Sequence, residues 1–371
     1  MSGSVTFFIA SVSLLLGSAA GFVMHRSDFC IAGMFRNVFM FRQWFMLRIL
    51  LLLIVVSMGL FEGARLVGLL SLYPYPLLGS ASLATIVGAF LFGIGMVLSG
   101  GCVVGTLYKM GAGSVLSLLA FAGLLFGSAA YAEFHPLWKT FATQTTLSPG
   151  VITLPELVGI SPSIFVSVAI VLFLIFCIRF HPLSAWTRTV VVDGYLQPWK
   201  AAIVLAFIGL LSYVLVGMPL GITTAYAKLG AGLESLFFSQ HVAELSYFQA
   251  LPLDYVPPFF EIAIRGGAGP QWDAVALVQY PLIAGIVLGS TLSARMLDEF
   301  KLRLNAPRRQ VVSVVLGGVV MGLACRMAPG CNVWHLLGGL PILSLQAIFY
   351  LFGLVPGAWA GSFILQRFVL K

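Results

Sequence analysis

Charged side chains are scarce in this sequence. They make up 9% of its 371 residues, and hydrophobic residues make up 60%, whereas a soluble globular domain carries roughly 25% charged residues. There is too little polar surface to cover a particle in water, which excludes an ordinary soluble fold. The chain also lacks a nucleotide-binding loop of the Gly-x-x-x-x-Gly-Lys-Ser/Thr type, so ATP hydrolysis by this chain is not expected.

Other signals are missing too. No Lys or Arg precedes the first apolar run, so we expect that run to be a retained span and not a cleaved signal. Carboxylates are nearly absent from the apolar runs, which leaves few candidates for a proton relay and favours channel-like passage. No Cys-x-x-Cys pair or Cys/His cluster occurs, so we expect free thiols and neither metal nor cofactor. The thiols belong to Cys30, Cys102, Cys177, Cys325 and Cys331.

Long apolar runs are what the sequence has in abundance. Each approaches the roughly 20 residues with which a helix crosses a bilayer. They predict an all-α integral membrane protein with about nine transmembrane helices, near residues 5–24, 45–62, 82–98, 114–132, 162–180, 200–216, 274–294, 310–325 and 342–365.

Four interruptions do not fit this pattern. Segments 26–42, 99–112, 217–233 and 326–340 are rich in Gly, Ser, Thr or Cys and are too short to cross. We expect them to form short re-entrant half-helices lining a pathway, because irregular backbone at membrane depth needs protein or water around it. Gly100 and Gly101 precede Cys102, and Gly330 precedes Cys331. A half-helix that begins at such a break offers amide groups and a positive dipole end to an anion, although glycines also serve close helix packing.

The basic residues predict an orientation. Of the 20 Lys and Arg residues, five fall on one side of the predicted topology, and fifteen fall on the other. Because Lys and Arg concentrate in cytoplasmic loops, the topology is N-out and C-in. The five on the outer side are Arg65, Lys139, Lys228, Arg265 and Arg326.

The segments around Cys102 and Cys331 look like two copies of one motif. Each Gly-Cys pair follows an apolar span and precedes a Gly-rich turn and a further span. We therefore divide the single membrane domain into a first half (1–133), a linking span (134–197) and a second half (198–371). Because one span separates two sets of four, the halves would be inverted relative to each other.

Three of the cysteines are candidate pathway residues. Cys30, Cys102 and Cys331 lie in interruptions, whereas Cys177 lies within an apolar run and reads as an inert small hydrophobe. Cys325 ends a span, and its role is left open. A thiol can attack sulfur, bind a soft metal or offer a polarisable S–H to a sulfur-bearing solute. Copper transport ranks low, since the Met residues are scattered. Arg326 falls on the Arg-poor side and could pair with an anion.

Four segments carry a resemblance to a known family: 21–30 (GFVMHRSDFC), 99–108 (SGGCVVGTLY), 217–225 (GMPLGITTA) and 326–332 (RMAPGCN). The sequence resembles the YeeE/YedE family, whose characterised members take up thiosulfate across the bacterial inner membrane. The resemblance implies an inverted-repeat, hourglass-like fold in which Cys30, Cys102 and Cys331 hydrogen-bond in relay to the terminal sulfur of thiosulfate without a lasting covalent bond. Thr106 and Asn332, in the same motifs, are further pathway candidates. Cys325 and the pair at 328–329 depart from the family pattern, which leaves the substrate open.

These observations predict a transporter for a small sulfur-containing anion, with thiosulfate as the first choice, and not an enzyme. The expected partners are the anion, the lipid bilayer and a cytoplasmic sulfur-carrier protein, with no nucleic acid. One alternative is uptake of a selenium compound or another reduced sulfur species. A second is a membrane sulfurtransferase that forms a persulfide on Cys102 or Cys331, and a third is a structural protein with inert cysteines.

Overall fold

A computed structural model describes residues 3–70, 72–179, 186–189, 193–259, 263–302 and 306–370. Within these ranges, nine helical stretches are long and apolar enough to cross a membrane, and they coincide with the nine predicted spans. The chain is therefore an all-α multi-pass membrane protein, as predicted. Two of the fifteen basic residues assigned to the cytoplasmic side, Arg303 and Lys371, lie outside the described residues.

The long helices form the frame of the molecule. They are α1 (Gly3–Ser27), α3 (Phe45–Leu66), α4 (Leu83–Leu98), α6 (Val115–Gln144), α8 (Pro162–Arg179), α9 (Pro198–Val216), α13 (Ala274–Met296), α14 (Arg308–Met327) and α15 (Leu345–Ile364). Shorter helices lie between them: α2 (Ile31–Phe41), α5 (Val103–Gly111), α7 (Leu154–Val158), α10 (Thr223–Ser235), α11 (Ser239–Glu244) and α12 (Ser246–Gln249). A small antiparallel hairpin pairs β1 (Leu253–Tyr255) with β2 (Ile264–Gly266).

Each of the four predicted interruptions contains a short helix. The first three hold α2, α5 and α10, and the fourth holds a helical segment that starts at Asn332 and continues as a π-helical turn, Trp334–Gly339. The prediction of short helices in these interruptions is confirmed. Glycine and polar residues follow each preceding span, where the long helix ends and a new short helix can begin.

Glycine lets the long helices approach each other closely. Gly17 and Gly21 of α1 face α13, where an added Cβ would lie within 2.3 Å of the backbone oxygens of Leu282 and Ile286. In membranes, where lipid is as apolar as the helix surface, such small residues allow the backbone contact that stabilises helix pairs. The same packing joins α15 to α4 and α14 to α6.

The helix pairs follow a recurring pattern. Helix α1 packs on α13, and α9 packs on α3 as the corresponding pair. Likewise, α4 packs on α15, and α14 packs on α6. The short helices obey the same pattern, since α2 contacts α15 and α10 contacts α6. Helix α8 stands apart: only Val166 and Phe173 of its described side chains are buried, and it packs mainly on α3.

Candidate functional site

Three cysteines begin three short helices. Cys30 is the N-cap of α2, Cys102 is the N-cap of α5, and Cys331 directly precedes the helical segment at Asn332. Each cysteine carbonyl accepts a first-turn N–H, at distances of 3.0, 2.7 and 3.0 Å respectively. All three side chains are buried. Each thiol thus lies at the positive end of a short helix inside the bundle.

The thiols of Cys30 and Cys102 are neighbours. Both lie against Gly105, whose backbone N–H donates to Cys102 Sγ at 3.3 Å. A Cβ added at Gly105 would lie 2.9 Å from Cys30 Sγ and 3.2 Å from Cys102 Sγ. Because Gly105 has no side chain, the Cys30 and Cys102 thiols can both lie against this position of α5.

Asn332 connects this pair to Cys331. Its side chain faces the Cys102 thiol and is fully buried. Among the described residues, neither its amide nitrogen nor its amide oxygen has a partner in hydrogen-bond geometry. Because buried polar groups are almost always paired, this amide is suited to bind a polar solute beside Cys102.

Glycines with positive φ lie in the loops before α5 and before the helical segment at Asn332. Gly100 and Gly330 have φ values of +74° and +150°, where other residues are strained. Lys109 Nζ donates to the Gly100 carbonyl at 2.7 Å, and Ser99 Oγ donates to the Gly101 carbonyl at 2.8 Å. The Thr106 hydroxyl donates to the Cys102 carbonyl at 2.9 Å. Thr106 thus supports the loop, with its hydroxyl already engaged by the backbone.

An open vestibule of about 670 Å³ lies on one side of the thiols. At its floor, the Tyr108 hydroxyl donates to Asp28 Oδ1 at 3.1 Å, two residues before Cys30. The vestibule gathers basic residues from four separate segments of the chain: Arg26, Lys109, Arg188 and Lys301. All four belong to the group predicted to share one side. Asp28 and Tyr108 were not singled out from the sequence, although both lie in the motifs that contain the cysteines.

Arg326 lies in the last turn of α14 and is not among the residues that line the vestibule. Its guanidinium donates to the hydroxyls of Thr224, at 3.1 Å, and Tyr247, at 3.4 Å, and it also bonds the hydroxyl of Thr223. None of the ion pairs between described residues includes Arg326. This guanidinium lies close to Cys331, so it offers a positive charge without a carboxylate partner among the described residues at the Cys331 end of the thiol series.

The remaining two cysteines differ from each other. The Cys325 thiol is buried and donates to the Gly322 carbonyl at 3.0 Å, within α14. Cys177 is half-buried on the peripheral helix α8, in keeping with its assignment as a small hydrophobe. Four cysteines, Cys30, Cys102, Cys325 and Cys331, thus lie in one buried core cluster, whereas Cys177 lies on the peripheral helix.

Comparison with known proteins identifies the family. The family model described as "Sulphur transport" matches residues 26–360, which include all three central cysteines. The chain belongs to the sulphur transport family. This assignment confirms the resemblance found in the sequence motifs.

Two relatives match nearly the whole chain. The thiosulfate transporter TsuA of Spirochaeta thermophila is 28% identical over 374 residues, covering 95% of this chain and 98% of the relative. The thiosulfate transporter TsuA of Escherichia coli is 26% identical over 370 residues, covering 95% and 93%. The probable transporter YedE of Escherichia coli is 24% identical over 165 residues, covering 44% of this chain and 37% of the relative.

Proposed function

We propose that this protein carries thiosulfate into the cell across the bacterial inner membrane. Its family and its two full-length relatives, which are named thiosulfate transporters, support a sulfur anion as the substrate. The single observation that carries the proposal is the series of three buried thiols, each at the start of a short helix.

The proposed route begins at Arg326 and runs past Cys331, Cys102 and Cys30 into the vestibule. Thiosulfate has a soft terminal sulfur, which a polarisable S–H can contact as a weak hydrogen-bond donor. Weak donors suit transport, because a site must bind the solute well enough to admit it and loosely enough to release it. The positive helix ends at Gly100–Gly101 and at Gly330 stabilise the negative charge along the way.

Passage in this proposal leaves no lasting covalent bond on any cysteine. The protein therefore acts as a transporter and not as an enzyme. The adjacent thiols of Cys30 and Cys102 support a relay, since one S–H can engage the anion as the other releases it. A cytoplasmic sulfur-carrier protein would receive the released anion at the vestibule.

The orientation we propose is N-out and C-in. The four basic residues around the vestibule support its assignment to the cytoplasmic side. We also propose that residues 1–133 and 198–371 are inverted halves joined by the linking span in 134–197. The recurring helix pairs support this division. A two-fold axis between the halves would relate α1 to α9 and α13 to α3, so it would turn the α1–α13 pair into the α9–α3 pair.

Uptake of labelled thiosulfate into proteoliposomes tests the proposal. Cys102→Ala should reduce uptake to the level of empty vesicles, whereas Cys177→Ala, on the peripheral helix, should leave it unchanged. Full uptake by the Cys102→Ala variant would refute the thiol route. Transport of a selenium compound in preference to thiosulfate would show that the substrate is the selenium compound.

Mass spectrometry of the protein after exposure to thiosulfate tests the non-covalent step. We expect unmodified Cys102 and Cys331. A stable adduct of one additional sulfur atom on either residue would instead identify a sulfurtransferase.

A further inference from the structure

Two buried tyrosines lie beside the thiol series and belong to no predicted site. Tyr226 is in α10 and Tyr350 is in α15, and both are fully buried. Each lies close to the same three cysteines, Cys102, Cys325 and Cys331. Two phenol rings from separate helices therefore converge on one part of the route.

Their hydroxyl groups have no partner among the described residues. A buried polar group without a hydrogen bond destabilises a fold by about 1–3 kcal/mol, so such groups are rare. The Asn332 amide, which faces the same thiol of Cys102, is unpartnered as well. Three unpartnered polar side chains around shared thiols indicate a place for a polar ligand.

The aromatic rings are held by packing and not by their hydroxyls. The Tyr226 ring meets Phe121 edge to face, with centroids 5.3 Å apart. The Tyr350 ring stacks on His335 at 4.1 Å, and His335 Nε2 donates to the Ala328 carbonyl at 2.8 Å. Packing thus orients both phenols and leaves their O–H groups available to a solute.

Thiosulfate has two chemically different ends. Thiols suit its soft terminal sulfur, but they are weak donors to its sulfonate oxygens. Phenol and amide groups are stronger donors, and hydrogen bonds to a charged acceptor are about twice as strong as neutral ones. A site with both kinds of donor can hold the two ends of one ion in a fixed direction.

We propose that the Tyr226 and Tyr350 hydroxyls, together with the Asn332 amide, donate hydrogen bonds to the sulfonate oxygens while the terminal sulfur lies at Cys102 and Cys331. This inference rests on the proposed transport of thiosulfate. It makes the two tyrosines specificity residues, which select a sulfur anion that bears a sulfonate group over hydrosulfide, which has no oxygen. Hydrosulfide would leave all three donors unpaired, and sites built to hydrogen-bond a ligand reject analogues that lack the acceptor.

Tyr226→Phe and Tyr350→Phe test the inference, because each removes one hydroxyl and keeps the ring. Tyr213→Phe is the matched control: Tyr213 is also buried with an unpartnered hydroxyl, but its ring packs against Phe61 and Tyr75. Binding of thiosulfate to detergent-solubilised protein is measured by calorimetry, and uptake is measured in proteoliposomes. Inhibition of uptake by sulfite and by hydrosulfide is measured on the same variants.

We expect each of the two variants to bind thiosulfate about ten- to a hundredfold more weakly, as for loss of a hydrogen bond to a charged group. Inhibition by sulfite should weaken in parallel, and inhibition by hydrosulfide should stay as in wild type. Wild-type affinity in both variants would overturn the inference, as would an equal loss in Tyr213→Phe. If the wild type binds thiosulfate without transporting it, the proposed function fails while the binding data still decide the role of the tyrosines.

Discussion

Gly105→Ala offers a sharp test of the contact between the Cys30 and Cys102 thiols. The added methyl carbon would lie 2.9 Å from Cys30 Sγ and 3.2 Å from Cys102 Sγ, distances at which one of the thiols has to rotate away. Position 105 is in the first turn of α5, where Ala is a better helix former than Gly by about 1 kcal/mol. Overpacking opposes this gain by about 1–3 kcal/mol, so the variant should still fold.

Transport should respond more strongly than stability. Separating the thiols removes a hydrogen-bonded step worth about 1.4 kcal/mol, which corresponds to about a tenfold slower uptake. Gly232→Ala in α10 is the matched control, because nothing lies within 4 Å of a Cβ at that position. Uptake into proteoliposomes and thermal unfolding in detergent are measured for both variants. Wild-type uptake by a correctly folded Gly105→Ala protein would refute the relay between Cys30 and Cys102.

Three further predictions concern charged groups. Arg326→Gln should reduce thiosulfate uptake about tenfold at low substrate and less at saturation, since a lost ion contact weakens binding; equal KM values in the variant and wild type would contradict this. Lys228 is fully buried and donates to Asp273 at 2.8 Å, so Lys228→Met should destabilise the protein by about 3–5 kcal/mol, and adding Asp273→Asn should recover part of the loss in thermal unfolding. The Glu133 carboxylate raises the pKa of His241, so their ion pair is present below about pH 6.5 and is lost as the pH rises through the raised pKa. The small Tm advantage of wild type over His241→Gln should therefore appear at acidic pH and vanish at alkaline pH, and a difference of the opposite sign would exclude this pairing.

The spans and the short helices could be predicted from the sequence because both are local properties. An apolar run of bilayer length has one stable form in lipid, a helix. Gly100 and Gly330 have positive φ in the structure. Because glycine favours such backbone positions, these two residues indicated the breaks before Cys102 and Cys331 in the sequence. These features need no knowledge of which helix packs on which.

The contacts that build the site could not be predicted, because they join distant parts of the chain. The bond between Tyr108 and Asp28 spans 80 residues, and that between Arg326 and Thr224 spans 102. Tyr350 lies in an apolar span, where an aromatic residue is normally part of the core, and Tyr226 lies in an interruption whose Gly and Thr residues gave no reason to select the tyrosine. Only the packed structure reveals that their hydroxyls lack partners among the described residues.

The peripheral helix α8 contributes mainly by crossing the membrane once and contributes little to the packing of the core. Only two of its described side chains, Val166 and Phe173, are buried, so its sequence can vary widely as long as it stays apolar and of bilayer length. Deleting it would remove little packing, yet it would exchange inside and outside for every residue that follows. We therefore expect α8 to tolerate most apolar substitutions but not deletion.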